Sequence, residues 1–543
     1  MRTLALALAL ALPVAAEGWN SEQKDVQIPM RDGKWLAADV YLPAKEGKYP
    51  CVLVQTPYNK KHMGTVMTLA NVPAGETGRG STNDMKVLMD REHYAYVFVD
   101  WRGFYGSKAA TKPMAKRGLD GYDCVEWIAG QAWSDGKVGT WGGSALGKQQ
   151  LDTAAEHPPH LVCCAPLIAA MGQGYEAYYE GGVMLEGHVK RLDQLGFGVS
   201  EKVIAAPLSG TPLWKFAEKA TYHPEAIEVP CLMITGWWDN YPDAIVRTFE
   251  DIVAKGGEAA RSGSKLLIGP WDHVSIGVTE QGALKFEKAS LESARAAKAF
   301  FDYWLRGMKD NGWDKVARVR YWPVNEEAWK SCEAWTAVAR DSQSFFLTAE
   351  GRLAAERPQQ ESTRTWTYDP VDPSPTLGGA NLPPMKHGPT DQSALSERKD
   401  GAWFTTGKLE KPLRVNGNVE LTVSLEANAP DCDFTARLCD AGVDGKPVLI
   451  GDAAGRAKLR DGTAVAKLLQ GGQTYSLTLR FPATAATFPA GHELRVYLAN
   501  TNWPRYERNA GTGADHWDEK TAQPVKITLH FGASELRLPI AKE

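Results

Sequence analysis

Short apolar runs alternate with amphipathic stretches over residues 24–150. The clearest runs, 52–55, 95–100 and 138–141, have the length and residue types of buried strands. The rhythm resumes over 228–325, with runs at 230–236 and 265–270 and a strongly amphipathic segment at 291–305. Strands that alternate with helices predict an α/β core, in which a mainly parallel sheet is covered on both faces. Residues 151–227 lack that rhythm. They carry Met171, Tyr175, Tyr178, Tyr179, Met184, Leu185 and Trp214 among glycines and charges, and they are predicted to form an inserted helical cap. The cap aromatics fit either the cap's own core or contacts with a substrate. After residue 343 Pro- and Gly-rich turns separate short runs such as 419–425, 475–481, 493–499, 525–531 and 536–540. That texture predicts an all-β sandwich. The expected division is therefore a first core part at 17–150, a cap at 151–227, a second core part at 228–342 and a β-sandwich at 343–543. Segment 368–392 holds six prolines and is expected to run as an ordered excursion over the surface.

The apolar run at 138–141 leads into Gly142-Gly-Ser144-Ala-Leu-Gly147 and then a helix-like stretch. A strand that turns sharply into a helix there would hold Ser144 at the tip of the turn, as in a nucleophile elbow. The usual G-x-S-x-G spacing is lengthened by one residue, to Gly142-x-Ser144-x-x-Gly147. The run at 230–236 ends in Trp237-Trp238-Asp239-Asn240, and the run at 265–270 ends in Trp271-Asp272-His273. Each polar residue follows a strand's carboxyl end, where open α/β sheets bind ligands. The order Ser144, Asp239, His273 is that of α/β-hydrolases. In that chemistry His273 would take the hydroxyl proton of Ser144 and Asp239 would fix the imidazole tautomer. Asp243 and Asp272 are rival acids, although Asp272 adjoins His273 too closely in the chain for a well-aligned bond. Trp141, Trp237, Trp238 and Trp271 flank these positions and are expected to form an apolar pocket wall, with burial under the sheet as the alternative.

Several segments resemble the cocaine esterase-like hydrolases, a group that includes X-Pro dipeptidyl-peptidases and α-amino acid ester hydrolases. The resemblance runs from about residue 24 to near the C-terminus. It is carried by Thr56-Pro-Tyr58-Asn-Lys, Val99-Asp100-Trp-Arg102-Gly103, Trp133 to Ser144, Gly236-Trp-Trp-Asp239, Gly269-Pro-Trp-Asp-His273 and Asn502-Trp-Pro-Arg-Tyr506-Glu-Arg-Asn509. It implies an α/β-hydrolase core and a jelly-roll-like C-terminal domain. It also implies that the Tyr58 hydroxyl donates to the oxyanion, with the backbone N–H of Ala145 as the second donor. The family usually has tyrosine directly after the nucleophile, where this chain has Ala145. The expected activity is hydrolysis of small acyl esters or related amides through an acyl-enzyme, without metal or organic cofactor. An X-Pro dipeptidyl-peptidase would need an anionic site for a free amine. Glu176, Glu180 and Glu186 could supply one, with solvated surface as their alternative. An α-amino acid ester hydrolase needs a similar acidic cluster, and Leu146 beside the nucleophile offers none. A binding protein on the same scaffold is a further alternative.

Composition narrows the setting. The chain has 543 residues, enough for several cores, and 43% of them are hydrophobic. A net charge of −4 without a basic stripe argues against a nucleic-acid partner. Arg2, the Leu-Ala run through Leu12 and Pro13-Val-Ala-Ala16 have the form of a cleavable export signal. The run is shorter than the roughly 20 residues of a membrane span, so the expected mature protein is periplasmic or secreted and not membrane-bound. Eight cysteines permit disulfides in that setting without assigning any. The sequence leaves the oligomeric state open.

Overall fold

The structure, a computed structural model, describes residues 22–62, 90–111, 116–172 and 174–541. The expected export signal at 1–16 lies outside the described residues. The strands of the core sheet are β1 (Glu22–Pro29), β2 (Trp35–Tyr41), β3 (Tyr49–Thr56), β4 (Ala95–Asp100), β5 (Ser134–Gly143), β6 (Leu161–Leu167), β7 (Leu232–Trp238), β8 (Lys265–Asp272), β9 (Val319–Tyr321) and β10 (Lys330–Cys332). They form one sheet in the order β1-β2-β4-β3-β5-β6-β7-β8-β9-β10. From β4 to β9 every neighbouring pair is parallel. Ala95–Asp100 is buried at every position, because helices cover both faces of a parallel sheet. Adjacent residues of β5 show the two faces. Thr140 Oγ1 donates to Gln150 Oε1 on helix Ala145–Ala154 at 3.0 Å. The ring of Trp141 meets Phe301 of helix Glu292–Trp304 edge-on at 6.5 Å on the other side.

β6 corrects the expected cap boundary. Leu161–Leu167 pairs in parallel with β5, so the core runs on past 150 and the insertion begins after the strand. Pro166 and the pair Cys163-Cys164 disguise this strand in the sequence. The pair Cys164 and Cys231 face each other across β6 and the start of β7, and all eight cysteines are free thiols.

The cap is helical, with helices Glu186–Gln194, Ser200–Ile204 and Pro212–Thr221. Tyr175, Tyr178, Tyr179, Met184, Val189 and Trp214 pack together as its own small core. Tyr175 and Tyr179 stack at 4.5 Å, and the Trp214 indole N–H donates to Ala206 O at 2.8 Å. The aromatics of the insertion therefore hold the cap together.

The C-terminal part is a β-sandwich that starts at strand Ala339–Leu347, slightly before the expected residue 343. Its eight-stranded sheet is organised around the last strand, Val525–Ala541, which pairs with Ala339–Leu347, Thr363–Tyr368 and Glu420–Ala427. A four-stranded sheet contains Gly401–Thr405, Glu493–Ala499, Asp433–Ala441 and Pro447–Arg456. Phe404–Phe531 and Trp366–Phe434 ring contacts join the two sheets. The proline-rich excursion leaves this domain to reach the core, where His387 Nδ1 lies 2.7 Å from Asp272 Oδ2. No helix among the described residues is long and apolar enough to cross a membrane.

Candidate active site

Ser144 stands between β5 and helix Ala145–Ala154 with φ 58° and ψ −121°. A residue with a Cβ rarely adopts such a backbone, and the surrounding bonds must impose it. Ser144 N–H donates to Leu167 O on β6, and Lys148 N–H donates to Ser144 O, both at 2.9 Å. The displaced second glycine also has a steric reason. A Cβ at Gly142 would lie 2.6 Å from Leu146 Cβ, and one at Gly147 would lie 2.6 Å from Ala169 Cβ. Leu146 thus packs back onto the turn, and Gly147 lets the helix approach the chain beyond β6.

The ends of β5, β7 and β8 bring three side chains together. His273 Nε2 lies 3.0 Å from Ser144 Oγ, and His273 Nδ1 lies 2.6 Å from Asp239 Oδ1. A carboxylate only accepts, so Nδ1 carries the proton and Nε2 is left to accept from the serine hydroxyl. Asp239 is itself held. Its Oδ1 accepts from Asn240 N–H at 2.6 Å and its Oδ2 accepts from Thr235 Oγ1 at 2.7 Å. Asp239 and His273 are both buried. The rival acids are committed elsewhere. Asp272 Oδ1 accepts from Val274 N–H and Ser275 N–H and its Oδ2 meets His387. Asp243 accepts from Asn418 Nδ2 and Ala483 N–H in the β-sandwich.

Tyr58 follows β3, and its phenol stands beside the Ser144 side chain. Burial raises the phenol above its ordinary value, while the neighbouring Ser144 and the charge of Arg191 act the other way. The turn that carries Tyr58 is clamped at both ends. Tyr58 N–H donates to Thr56 Oγ1 at 2.9 Å. Asn59 takes φ 77°, and Lys60 N–H then donates to Asp100 Oδ1 at 2.7 Å. The buried Lys60 ammonium ties the turn to Asp39 at 2.6 Å and Asp25 at 2.7 Å. The Asp100 segment, which the sequence offered only as a resemblance, thus has a physical task beside Tyr58. Ala145 is the first residue of its helix, so its N–H has no acceptor within the helix and sits at the positive end of the dipole.

The four flanking tryptophans do not form the expected pocket wall. Trp141 packs on Phe301. The Trp237 indole donates to Trp322 O at 2.7 Å and its ring lies tilted against Trp335 at 5.1 Å. Trp271 packs on Trp329. Trp238 donates to Ile450 O at 3.0 Å and seals the seam with the β-sandwich. Each is buried in packing around the sheet.

Other aromatics approach the triad instead, and the sequence reading did not select them. Phe197 from the cap meets Tyr58 edge-on at 6.5 Å and Phe104 at 6.5 Å. Tyr241 lies 6.0 Å from the His273 ring. Its hydroxyl is 2.6 Å from Nε2 of the buried cap residue His188, and Asn240 Nδ2 is 3.2 Å from His188 Nδ1. Burial, together with the nearby His273, pushes His188 down to about 3, so it stays neutral and serves as a hydrogen-bonding strut. His188 follows no strand-like run, so the sequence carried no signal for it.

The cap glutamates are accounted for. Glu180 is partly buried and bonded to the Tyr506 hydroxyl at 2.8 Å and Ala454 N–H at 3.2 Å, with Arg505 at 3.4 Å. Burial raises it to about 7. Glu186 pairs with Lys190 on its own helix, and Glu176 is exposed.

The profile of the X-Pro dipeptidyl-peptidase (S15) family matches residues 32–202 and 209–275. The X-Pro dipeptidyl-peptidase C-terminal non-catalytic domain matches 311–536. The cocaine esterase of Rhodococcus sp. (strain MB1 Bresler) is 29% identical over 97% of this chain and 100% of its own length. An aminopeptidase from a marine sediment Thaumarchaeota archaeon superposes with TM-score 0.81 at 20% identity, covering 96% of each chain. An α-amino acid ester hydrolase superposes with TM-score 0.78 at 19% identity, covering 98% of this chain and 100% of the other. With both parts of one family matched in order along a serine-hydrolase scaffold, the chain belongs to the cocaine esterase-like S15 hydrolases and is a serine hydrolase.

Proposed function

We propose that this protein hydrolyses small carboxylic esters through an acyl-enzyme on Ser144. The observation that carries the reading is the continuous relay from Asp239 through His273 to Ser144 Oγ. His273 takes the serine proton during attack and returns it to the leaving alcohol. Asp239 stabilises the imidazolium formed in between. Tyr58 and Ala145 N–H receive the negative charge on the carbonyl oxygen. Water then repeats the sequence on the acyl-enzyme. A dipeptidyl-peptidase or an amino-ester hydrolase would recognise a cationic amine. The placement of the three glutamates favours the plain ester, since Glu180 and Glu186 are engaged within the protein and Glu176 is exposed. We further propose, from the N-terminal pattern alone, that the mature protein is exported.

The test is a turnover panel on residues 17–543, with p-nitrophenyl acyl esters set against Gly-Pro- and Ala-Pro-p-nitroanilide and with Ser144→Ala as the blank. Ester turnover that exceeds anilide turnover is expected. Dominant cleavage of the prolyl anilides would reverse the assignment. Tyr58→Phe should lower kcat by about 10²–10³-fold, the usual cost of one lost oxyanion donor. Circular dichroism should remain unchanged. A near-normal rate would remove Tyr58 from the oxyanion site.

A further inference from the structure

The cap helix Glu186–Gln194 faces two ways. Val189 and Leu192 pack into the cap's own core. His188 points to the acid loop, where it meets Asn240 and Tyr241. Residues three apart share a helix face, so Arg191 lies on the same side as His188. The chain leaves this helix through Gly196 and Gly198, both at positive φ, and places Phe197 against Tyr58 and Phe104. Arg191 is thus bracketed by two residues that reach the site. Its charge acts on the Tyr58 hydroxyl.

Arg191 has no carboxylate partner among the described residues. Its guanidinium donates to Gln194 Oε1 at 3.2 Å. The neighbouring acids are taken. Glu186 pairs with Lys190, and Asp193 accepts from Val199 N–H, Ser200 N–H and the Ser200 hydroxyl. His188 is neutral. The groups gathered around Tyr58 on the cap side are therefore the rings of Phe197 and Phe104 and the cation of Arg191.

Resting on the esterase reading above, we propose that Arg191 is a specificity-determining residue that selects acyl chains ending in a carboxylate, that is, half-esters of dicarboxylic acids. The apolar rings accommodate the methylene chain, and the guanidinium receives the terminal carboxylate in a forked, charge-assisted bond. The acyl half is the part concerned, because its carbonyl oxygen stays beside Tyr58 through both acylation and deacylation. The same cation repels the free amine of an aminoacyl ester or a dipeptide.

The experiment compares kcat/KM for mono-p-nitrophenyl adipate and p-nitrophenyl hexanoate, which have equal chain lengths, with the Ser144→Ala background subtracted. The wild type should prefer the adipate, and the preference should shrink as ionic strength rises. Arg191→Gln should lower the adipate-to-hexanoate ratio by about 10–100-fold, the range for a lost charged hydrogen bond. Arg191→Lys should restore part of it, and Arg191→Glu should invert it. A wild type that turns over hexanoate as well as or better than adipate overturns the inference and leaves the esterase reading intact. So does an Arg191→Gln protein with an unchanged ratio. A wild type that turns over neither ester overturns both.

Discussion

His273→Ala should lower kcat on a p-nitrophenyl ester by roughly 10⁶-fold, and adding Ser144→Ala to it should lower the rate almost no further. The reason lies in the hydrogen-bond chain. Among the described residues Ser144 Oγ has one general base within reach, His273 Nε2 at 3.0 Å. A serine hydroxyl that keeps its proton is a poor nucleophile, so loss of the base disables the nucleophile as well. The two residues act as one unit and their costs do not add. The remaining rate should still exceed that in water, because the Tyr58 and Ala145 donors are untouched. Steady-state kinetics on both single variants and the double variant, at matched enzyme purity, check this. A double variant far below either single variant would mean that the two residues act independently. A His273→Ala protein with substantial turnover would mean that another base serves Ser144. Neither single variant should label with a fluorophosphonate at the wild-type rate.

The core of this site was legible because each of its residues follows a buried apolar run. Runs at 138–141, 230–236 and 265–270 became β5, β7 and β8, and Ser144, Asp239 and His273 stand at their carboxyl ends. Burial on both faces leaves a continuous apolar signature in the sequence, and the residue after it inherits a predictable place. β6 was hidden for the same kind of reason. Leu161–Leu167 contains a proline and two cysteines, and its burial depends on neighbours far away in the chain. The tryptophans next to the triad positions misled because proximity in sequence says nothing of which face a strand residue takes. Trp237 and Trp238 are consecutive and point to opposite sides, one to Trp322 and one to the β-sandwich.

The cap contributions were illegible for a deeper reason. His188 and Phe197 reach the site only because the cap core holds helix Glu186–Gln194 and the turn that follows it against the loops of the triad. That orientation is a tertiary result. No local pattern separates a helix face that covers a pocket from one that meets solvent. The same holds for Lys60, a lysine whose ammonium is enclosed by Asp25 and Asp39. Removal of both carboxylates would leave a buried charge uncompensated, and Asp39, itself buried, is the partner enclosed with Lys60 beneath the Tyr58 turn. The alignment of this site therefore rests on contacts that the chain makes across long sequence distances, while its reacting groups reside in local motifs.

Asp239→Ala should lower kcat by about 10⁴-fold, the scale set by loss of the acid from such a triad, whereas Asp239→Asn should remain about tenfold or more above the alanine variant. The difference follows from the partners of the carboxylate. Where an introduced amide turns its NH₂ toward the imidazole, it forces the wrong tautomer and the loss is about 10⁴-fold. Here Oδ1 already accepts from Asn240 N–H as well as from His273 Nδ1. An NH₂ group in that place would face a backbone donor, so the amide oxygen is held toward the imidazole. The NH₂ then occupies the Oδ2 position, opposite Thr235 Oγ1. A threonine hydroxyl can turn its own hydrogen away and accept. The tautomer survives, and the variant loses only the negative charge that stabilises the imidazolium. Thr235→Val in the Asp239→Asn background removes that acceptor and should bring the rate down toward the alanine level. The kcat values of the three proteins decide the matter. An asparagine variant as slow as the alanine variant would show that Thr235 does not orient the amide, and an alanine variant close to wild type would pass the acid's role to another carboxylate.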